Sequence, residues 1–360
     1  MSEHTAQGDA VILIPSLEPD ERLPAYIRKL REAGFSHAVV VDDGSAESYQ
    51  PIFEEIAGMA GTTVLHHEVN HGKGVALKTG YKWIRENLPD ISGVITADAD
   101  GQHTVKDCVR LAEELEKDEQ ALYLGTRDFS QENVPPKSRT GNRITSVLFR
   151  LLYGQWLDDT QTGLRAFRKE ALPLMEAVEG ERFEYEMNVL IACVREKMPI
   201  RAIPIETIYE NENQGTHYHP LKDSWRIFKV LAKGFLKFTG VSLLCVLIDQ
   251  GIFNLMNLAV FGNGEQNSWR LIQISTVVAR VISATTNFLL NRKFVFGANG
   301  SKGKELGRYA ILSVGVMIVS AGCVWALGFI GIPSTAAKLV VDTLLYFVNY
   351  RVQQKWVFSE

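Results

Sequence analysis

The sequence predicts two parts of different class: an α/β domain with a mostly parallel sheet, then an all-helical membrane domain. Three observations carry this. In the first half, short apolar runs that end in acids alternate with helically spaced segments. The 360 residues carry a net charge of −4, yet after Gly234 apolar runs dominate and charges retreat to short connections. The phrase "NFLLNRKFVF" (287–296) also returns 62 residues later as "NYRVQQKWVF" (349–358), the mark of a duplicated hairpin.

The elements follow in order. "AVILIPS" (10–16) is an apolar run ending in Pro, which suits a buried strand. "DERLPAYIRKLREAG" (20–34) has helical spacing and stops at Gly. "HAVVVDDGS" (37–45) and "TTVLHHE" (62–68) read as strands, "KGVALKTGYKWIREN" (73–87) as a helix, and "SGVITADADG" (92–101) as a fourth strand. Strands alternating with helices imply a mostly parallel sheet covered on both faces. In such sheets ligands sit at the carboxyl ends of strands, so the polar residues after each strand are the candidates.

Composition excludes some classes. A weakly acidic chain offers no global basic field for nucleic acid. The four cysteines (Cys108, Cys193, Cys245, Cys323) are widely spaced without a CxxC or Cys/His pattern, so reduced thiols are expected. The segment "MSEHTAQGDA" has no apolar core, so no signal peptide is read there. The first domain is expected on the cytoplasmic side.

"TADADGQH" places Asp98 and Asp100 two apart after an apolar strand, with Gln102 behind them. Two carboxylates and an amide suit a hard cation such as Mg²⁺ or Mn²⁺, which often completes its shell with substrate phosphates. The alternative is a solvated acidic turn. "VVDDGS" supplies a second acidic strand end, with Val41 and Asp43. "NHGKGVALKTG" supplies a Gly-rich loop that runs into a helix with Lys73 at its start, a natural phosphate cradle. It has neither P-loop nor dinucleotide-fold spacing.

The ordered set "IPSLEPDE", "VVDDGS", "NHGKGVALKTG", "DADGQH", "GTRDF", "SRTGNRITS" and "DDTQTGLRAF" resembles glycosyltransferase family 2, with the GT-A fold, over roughly residues 9–232. Within it the set is most similar to dolichol-phosphate mannose synthase and related polyprenyl-phosphate glycosyltransferases. The resemblance implies that Pro15, Ser16, Glu18, Val41 and Asp43 line the nucleotide base and ribose. Lys73, Asp98 and Ala99 would lie near the ribose and diphosphate. Asp100 and Gln102 would hold the metal. Arg127, Arg139 and His217 would grip the acceptor's phosphate, and Asp159 would act on the acceptor side of the sugar. One departure stands out. Where the family usually has Tyr-Asn-Glu, this chain has Leu17-Glu18-Pro19, which leaves UDP and GDP both open. Glu184, Glu186 and the histidines His66, His67 and His103 read as structural.

Residues 221–233 count as a basic amphipathic helix. Leu221, Trp225, Phe228 and Leu231 fall on one face, with Lys222, Arg226, Lys229 and Lys233 on another. That pattern suits the membrane interface. "NRITSVLFRLLYGQW" offers a second candidate of this kind, through Ile144, Val147, Leu148, Leu151 and Leu152.

Four spans are expected near 235–261, 271–291, 307–330 and 335–356, each close to the ~20 residues that cross hydrocarbon. The connection 292–308 is rich in Lys and Arg, so it and both termini are expected in the cytoplasm. The repeated phrases close two hairpins of the same orientation, as in parallel repeats. Their alignment puts Arg280 opposite Asp342, each about 18–20 Å from the basic end at ~1.5 Å per residue. Asp249 reaches a similar depth. Charges at that level need partners, so Arg280 is expected to pair with Asp342 or Asp249, buried in the membrane. This half resembles the GtrA-like four-helix membrane family.

Together these readings predict a multi-pass protein of the cell (inner) membrane. A GT-A domain (1–220) is joined through an interfacial helix (221–233) to a GtrA-like domain (234–360), which is also a route to a homo-oligomer. Its expected activity is metal-dependent, inverting transfer of one sugar from a UDP- or GDP-sugar to polyprenyl phosphate. A processive polysaccharide synthase and a lipid-linked-sugar flippase are the alternatives. The first would carry QxxRW, where this chain has "QTGLRAF".

Overall fold

The computed structural model describes residues 9–117, 119–131, 134–206, 220–256, 269–298 and 300–359. The chain divides into two units, Met1–Leu231 and Ala232–Glu360.

In the first unit the four expected strands form where the apolar runs stand: β1 (Ala10–Ser16), β2 (His37–Asp42), β3 (Thr62–His66) and β4 (Gly93–Thr96). With β5 (Leu122–Thr126), β6 (Arg165–Arg168) and β7 (Ile200–Pro204) they make one sheet, ordered β3-β2-β1-β4-β6-β5-β7. Strand β6 runs antiparallel to β4 and β5, and the other pairings are parallel.

Helices α1 (Arg22–Glu32), α2 (Gln50–Ala57), α3 (Lys73–Asn87), α4 (Val105–Leu115), α5 (Pro136–Tyr153), α6 (Leu172–Ala177) and α7 (Glu184–Arg195) connect the strands. Side chains alternate across a strand, and β1 is covered on both sides. Ile12 and Ile14 pack with Leu23, Ile27 and Leu30 of α1, Phe53 of α2 and Leu111 of α4. Leu13, on the opposite face, meets α3 at Gly80. Burial on both faces explains why β1 reads as an unbroken apolar run rather than an alternating one. The register sets Ser16 beside Asp42, and Leu13 beside Thr96 just before the acidic turn, so three polar strand ends share one edge.

The face expected on helix α5 is divided: Ile144, Val147 and Leu151 are exposed, whereas Leu152 is buried, as is Phe149. Arg143 and Arg150 both lie over the Trp156 ring.

Residues 221–233 do not form a helix of their own. They belong to one 36-residue helix, α8 (Pro220–Leu255), that continues into the expected first span. A lone glycine at 234 costs a helix interior only about 1 kcal/mol relative to Ala, too little to break it. Nor is its apolar face single: Leu231 is buried while Trp225 and Phe228 stay exposed and stack on each other.

In the second unit α9 (Trp269–Leu290), α10 (Lys302–Gly328) and α11 (Ser334–Val352) follow, close to the expected spans. Residues 257–268, which include the expected end of the first span, lie outside the described residues. Lys222–Leu255 and Lys302–Gly328 are long and apolar enough to cross a membrane, with mean hydropathy 1.8 and 2.2. Helices α9 and α11 carry Arg280, and Lys338 with Asp342, among their apolar residues.

The duplication is visible in the backbone. Each closing phrase ends in a five-residue π-helical segment, Asn291–Val295 and Gln353–Val357. Phe296 and Phe358, equivalent in the two copies, stack with ring centroids 5.1 Å apart. Phe288, Val357 and Phe358 form a small core there.

The charged trio divides. Arg280 pairs with Asp249 at 3.5 Å. Asp342 does not join them; it accepts from Lys338 at 2.7 Å and Ser320 at 2.5 Å. Lys338 stands one helical turn before Asp342 and so meets it locally. The Arg280 side chain is 73% exposed in the single chain. The buried stripe of α9 runs instead through Ser275, Ala279 and Ser283, small residues that let helices approach closely.

Candidate active site

A cavity of about 510 Å³ opens at the shared strand-end edge. Its walls hold Pro15, Ser16, Glu18, Asp43, Lys73, Asp98, Ala99 and Asp100, all expected from the sequence. Val41 does not contribute its side chain, because it is fully buried within β2. Gln102, Arg127, Arg139 and Asp159 are not among the lining residues, and His217 lies outside the described residues.

Asp43 builds the Gly-rich loop. Its carboxylate accepts the backbone N–H of His71 (3.0 Å) and of Gly72 (2.7 Å), and it meets His67 Nδ1 at 2.8 Å. Gly72 has φ +102°, and a Cβ there would meet Arg182 Cγ at 2.5 Å, so the turn into α3 requires glycine. His67 is structural, as expected, spanning Asp43 and Thr79.

Lys73 sits between two carboxylates, Asp98 at 2.6 Å and Glu186 at 2.9 Å. Burial by itself would lower the ammonium, but Asp98 and then Glu186 outweigh it and raise Lys73 above the usual lysine range. Burial would likewise raise Asp98; the charge of Lys73, then the hydrogen bond from His103, hold it far below the carboxylate range. Two of the three Lys73 donors are thus spent within the protein, which narrows its expected role at a diphosphate. Glu186, read from the sequence as a structural acceptor, is the second jaw of this clamp. Nothing in its local spacing pointed to Lys73. Gly163 makes room for Asp98, whose Oδ2 would lie 2.4 Å from a Cβ at that position.

Asp100 lies next to this network but outside its pairing. Burial, then the charge of Asp98, push its carboxyl up. Its Oδ1 accepts the Gln102 backbone N–H at 3.0 Å. A carboxylate held near another negative charge favours a cation, and Asp100 offers hard oxygen donors, while Gln102 meets it through its backbone N–H. Among the described residues no three His, Cys, Asp or Glu side chains gather as a metal-holding group. A divalent ion here would draw the rest of its shell from phosphate oxygens and water.

Ser16 points to a ligand as well. Its hydroxyl is buried and has no hydrogen-bond partner among the described residues, and it lines the cavity. Glu18 adopts φ +50°, a left-handed conformation unusual for its type, with its N–H on Ser45 Oγ at 2.8 Å.

Three motifs interlock beside the cavity. Asn142 of α5 donates to the Asp158 carbonyl and accepts from Thr160 N–H (3.0 Å), pinning the loop that carries Asp159. Asp159, fully buried, takes a two-point grip from Arg127: Nε to Oδ2 at 2.7 Å and the terminal nitrogen to Oδ1 at 3.1 Å. The resemblance implies separate tasks for these two residues, but they form one ion pair, with Asp159 orienting the guanidinium. Arg139 donates to the Gln131 carbonyl at 2.8 Å and stays exposed. Sequence reasoning missed Tyr49, Asn70, Arg182, Phe183, Asp223 and Arg226 as cavity residues. Asn70 opens the Gly-rich motif, and the other five lie outside the family motifs.

With the geometry established, comparison with known proteins places the chain. Residues 11–173 match Glycosyl transferase family 2, and residues 237–358 match the GtrA/DPMS transmembrane domain. The protein belongs to glycosyl transferase family 2, with a GT-A catalytic fold followed by a GtrA/DPMS transmembrane domain. An uncharacterized protein of Methanocaldococcus jannaschii is 30% identical over 251 residues, covering 69% of this chain and 94% of its own. The UDP-N-acetylglucosamine–dolichyl-phosphate N-acetylglucosaminyltransferase of Methanococcus voltae is 29% identical over 215 residues, 55% of this chain and 85% of its own. A dolichyl-phosphate hexose transferase of Haloferax volcanii is 25% identical over 234 residues, 65% of this chain and 96% of its own.

Proposed function

We propose that this membrane glycosyltransferase moves one sugar, with inversion, from a nucleoside-diphosphate sugar to a polyprenyl phosphate at the cytoplasmic face. The observation that carries the reading is the strand-end cavity. It combines the orphaned Ser16 hydroxyl, the acidic pair Asp98 and Asp100, and the Asp43-built loop at the start of α3. The dolichyl-phosphate enzymes among its relatives support the acceptor class.

The chemistry is a single displacement. An acceptor phosphate oxygen forms a bond to the anomeric carbon, and the bond from that carbon to the diphosphate oxygen breaks with its electron pair. A phosphate monoester is already ionised at neutral pH, so no general base has to remove a proton. Positioning and charge stabilisation then carry the rate. Ser16 and Asp43 hold the nucleoside. Asp100 and Gln102 would hold Mg²⁺ or Mn²⁺, and a bound ion would supply positive charge for the diphosphate leaving group. Lys73, braced by Asp98 and Glu186, keeps the floor of the site rigid. Arg127, oriented by Asp159, and Arg139 face the acceptor phosphate, where a guanidinium binds two oxygens at once.

Membranes containing the protein, given labelled UDP- and GDP-sugars with polyprenyl phosphate, should yield an organic-soluble lipid whose label is released by mild acid. Labelled polymer, or translocation without transfer, would overturn the proposal.

A further inference from the structure

The cavity holds four cations and six carboxylates: Arg22, Lys73, Arg182 and Arg226 against Glu18, Asp20, Asp43, Asp98, Asp100 and Asp223. Two of the cations are heavily engaged. Arg22 is chelated by Asp20 through contacts of 2.9, 3.0 and 2.8 Å. Lys73 is shared by Asp98 and Glu186. The other two are differently placed. Among the described residues Arg182 donates to Asn70 Oδ1 at 3.3 Å, and Arg226 to Asp223 Oδ1 at 3.0 Å. A guanidinium has five N–H donors, so most of theirs remain for a ligand.

Arg226 is also held in place. Asp223 is buried, and Ile227 and Leu231 on the same side of α8 are buried too. The helix start is therefore anchored, and a buried carboxylate fixes the guanidinium while its side chain stays 45% exposed. This differs from a solvated i,i+3 pair, in which both partners move freely.

We propose that Arg226, positioned by Asp223, forms with Arg182 a phosphate-binding wall of the cavity, separate from Arg127 and Arg139. This rests on reading the cavity as the glycosyl-transfer site. Two sources present that chemistry: the diphosphate of the sugar donor and the phosphate of the lipid acceptor. Arg226 belongs to α8, the helix that runs on as the first apolar span, so the wall is supplied partly by the segment leading to the membrane domain.

The test uses the full chain in detergent or proteoliposomes, with Arg226→Ala, Arg226→Lys, Arg182→Ala and Asp223→Asn. KM is measured separately for the nucleotide sugar and for polyprenyl phosphate, with the thermal midpoint of each variant. Arg226→Ala should raise one KM by about tenfold or more, as expected for losing a charge-assisted hydrogen bond, and the midpoint reads separately the cost of taking this partner from the buried Asp223. Arg226→Lys should restore only part, because a point charge lacks the fork. Asp223→Asn should raise the same KM with a smaller effect on kcat. A rise confined to the nucleotide sugar assigns the wall to the diphosphate; a rise confined to the lipid assigns it to the acceptor. Both KM values within about twofold of wild type for Arg226→Ala and Arg182→Ala would overturn the wall. A wild-type KM in Asp223→Asn would overturn the positioning role. Calorimetric titration of UDP and GDP with Mn²⁺ provides a readout independent of transfer. Nucleotide binding that weakens in Arg226→Ala while the wild type transfers no sugar would sink the functional reading and keep the site.

Discussion

Asn291 and Gln353 stand 62 positions apart in the chain, and Asn291 Nδ2 donates to Gln353 Oε1 at 3.2 Å. Each occupies the same place in its copy of the repeated phrase. Each also donates to the Asn four residues earlier in its own copy, Asn287 at 2.8 Å and Asn349 at 3.2 Å. The two hairpins therefore meet through equivalent residues, and the meeting point is a buried amide ladder. Removing one partner leaves a buried amide unsatisfied, at a cost of about 1–3 kcal/mol, whereas replacing both with apolar groups is closer to neutral. Asn291→Leu should lower the unfolding midpoint in detergent more than Asn291→Leu/Gln353→Leu. A double variant less stable than the single would contradict this.

Arg127 and Asp159 should behave as one unit. Breaking a buried pair strands a charge at about 3–5 kcal/mol. Asp159→Asn and Arg127→Ala should each abolish most of the transfer, and the double variant should be little worse than either. Additive rate losses would show independent roles.

Glu18 offers a stability test apart from chemistry. A left-handed backbone costs an ordinary L-residue roughly 1–2 kcal/mol, and Asn tolerates it better. Glu18→Asn should raise the thermal midpoint. An unchanged midpoint would mean that the Ser45 contact already offsets the strain.

Gly163→Ala places a methyl group where Asp98 Oδ2 now lies, 2.4 Å away. The expected result is a folded protein with far slower transfer, because the carboxylate must leave Lys73 and His103. Near-normal activity would show that this packing is not critical.

Chelation should stop transfer, and Mg²⁺ or Mn²⁺ should restore it. Asp100→Asn should raise the cation concentration needed for half-maximal activity by at least about tenfold, the loss of one charged oxygen ligand. Activity that survives exhaustive chelation would remove the cation from the mechanism.

Much of this was legible in the residues. The four strands β1 to β4 announced themselves because each is an apolar run stopped by a turn residue. Asp43, Asp98 and Asp100 were found because strand ends gather at one edge of a parallel sheet, and Ser16 through the family motif that holds it. Arg182 and Arg226 were missed because helix starts and loops reach the cavity from remote parts of the chain. The helix 221–255 was divided in two because a change from basic to apolar character resembles a boundary, although the backbone hydrogen bonding does not register it.

By itself, then, the sequence determined the α/β order, the acidic strand ends, the family motifs and the 62-residue repeat. All of these are patterns of spacing, and local periodicity encodes them. Only the tertiary structure decided which polar groups meet: Lys73 with Glu186, Arg127 with Asp159, Arg280 with Asp249 rather than Asp342, and Asn291 with Gln353. Hydrogen bonds and ion pairs act over about 3–4 Å, so their partners depend on how distant elements cross.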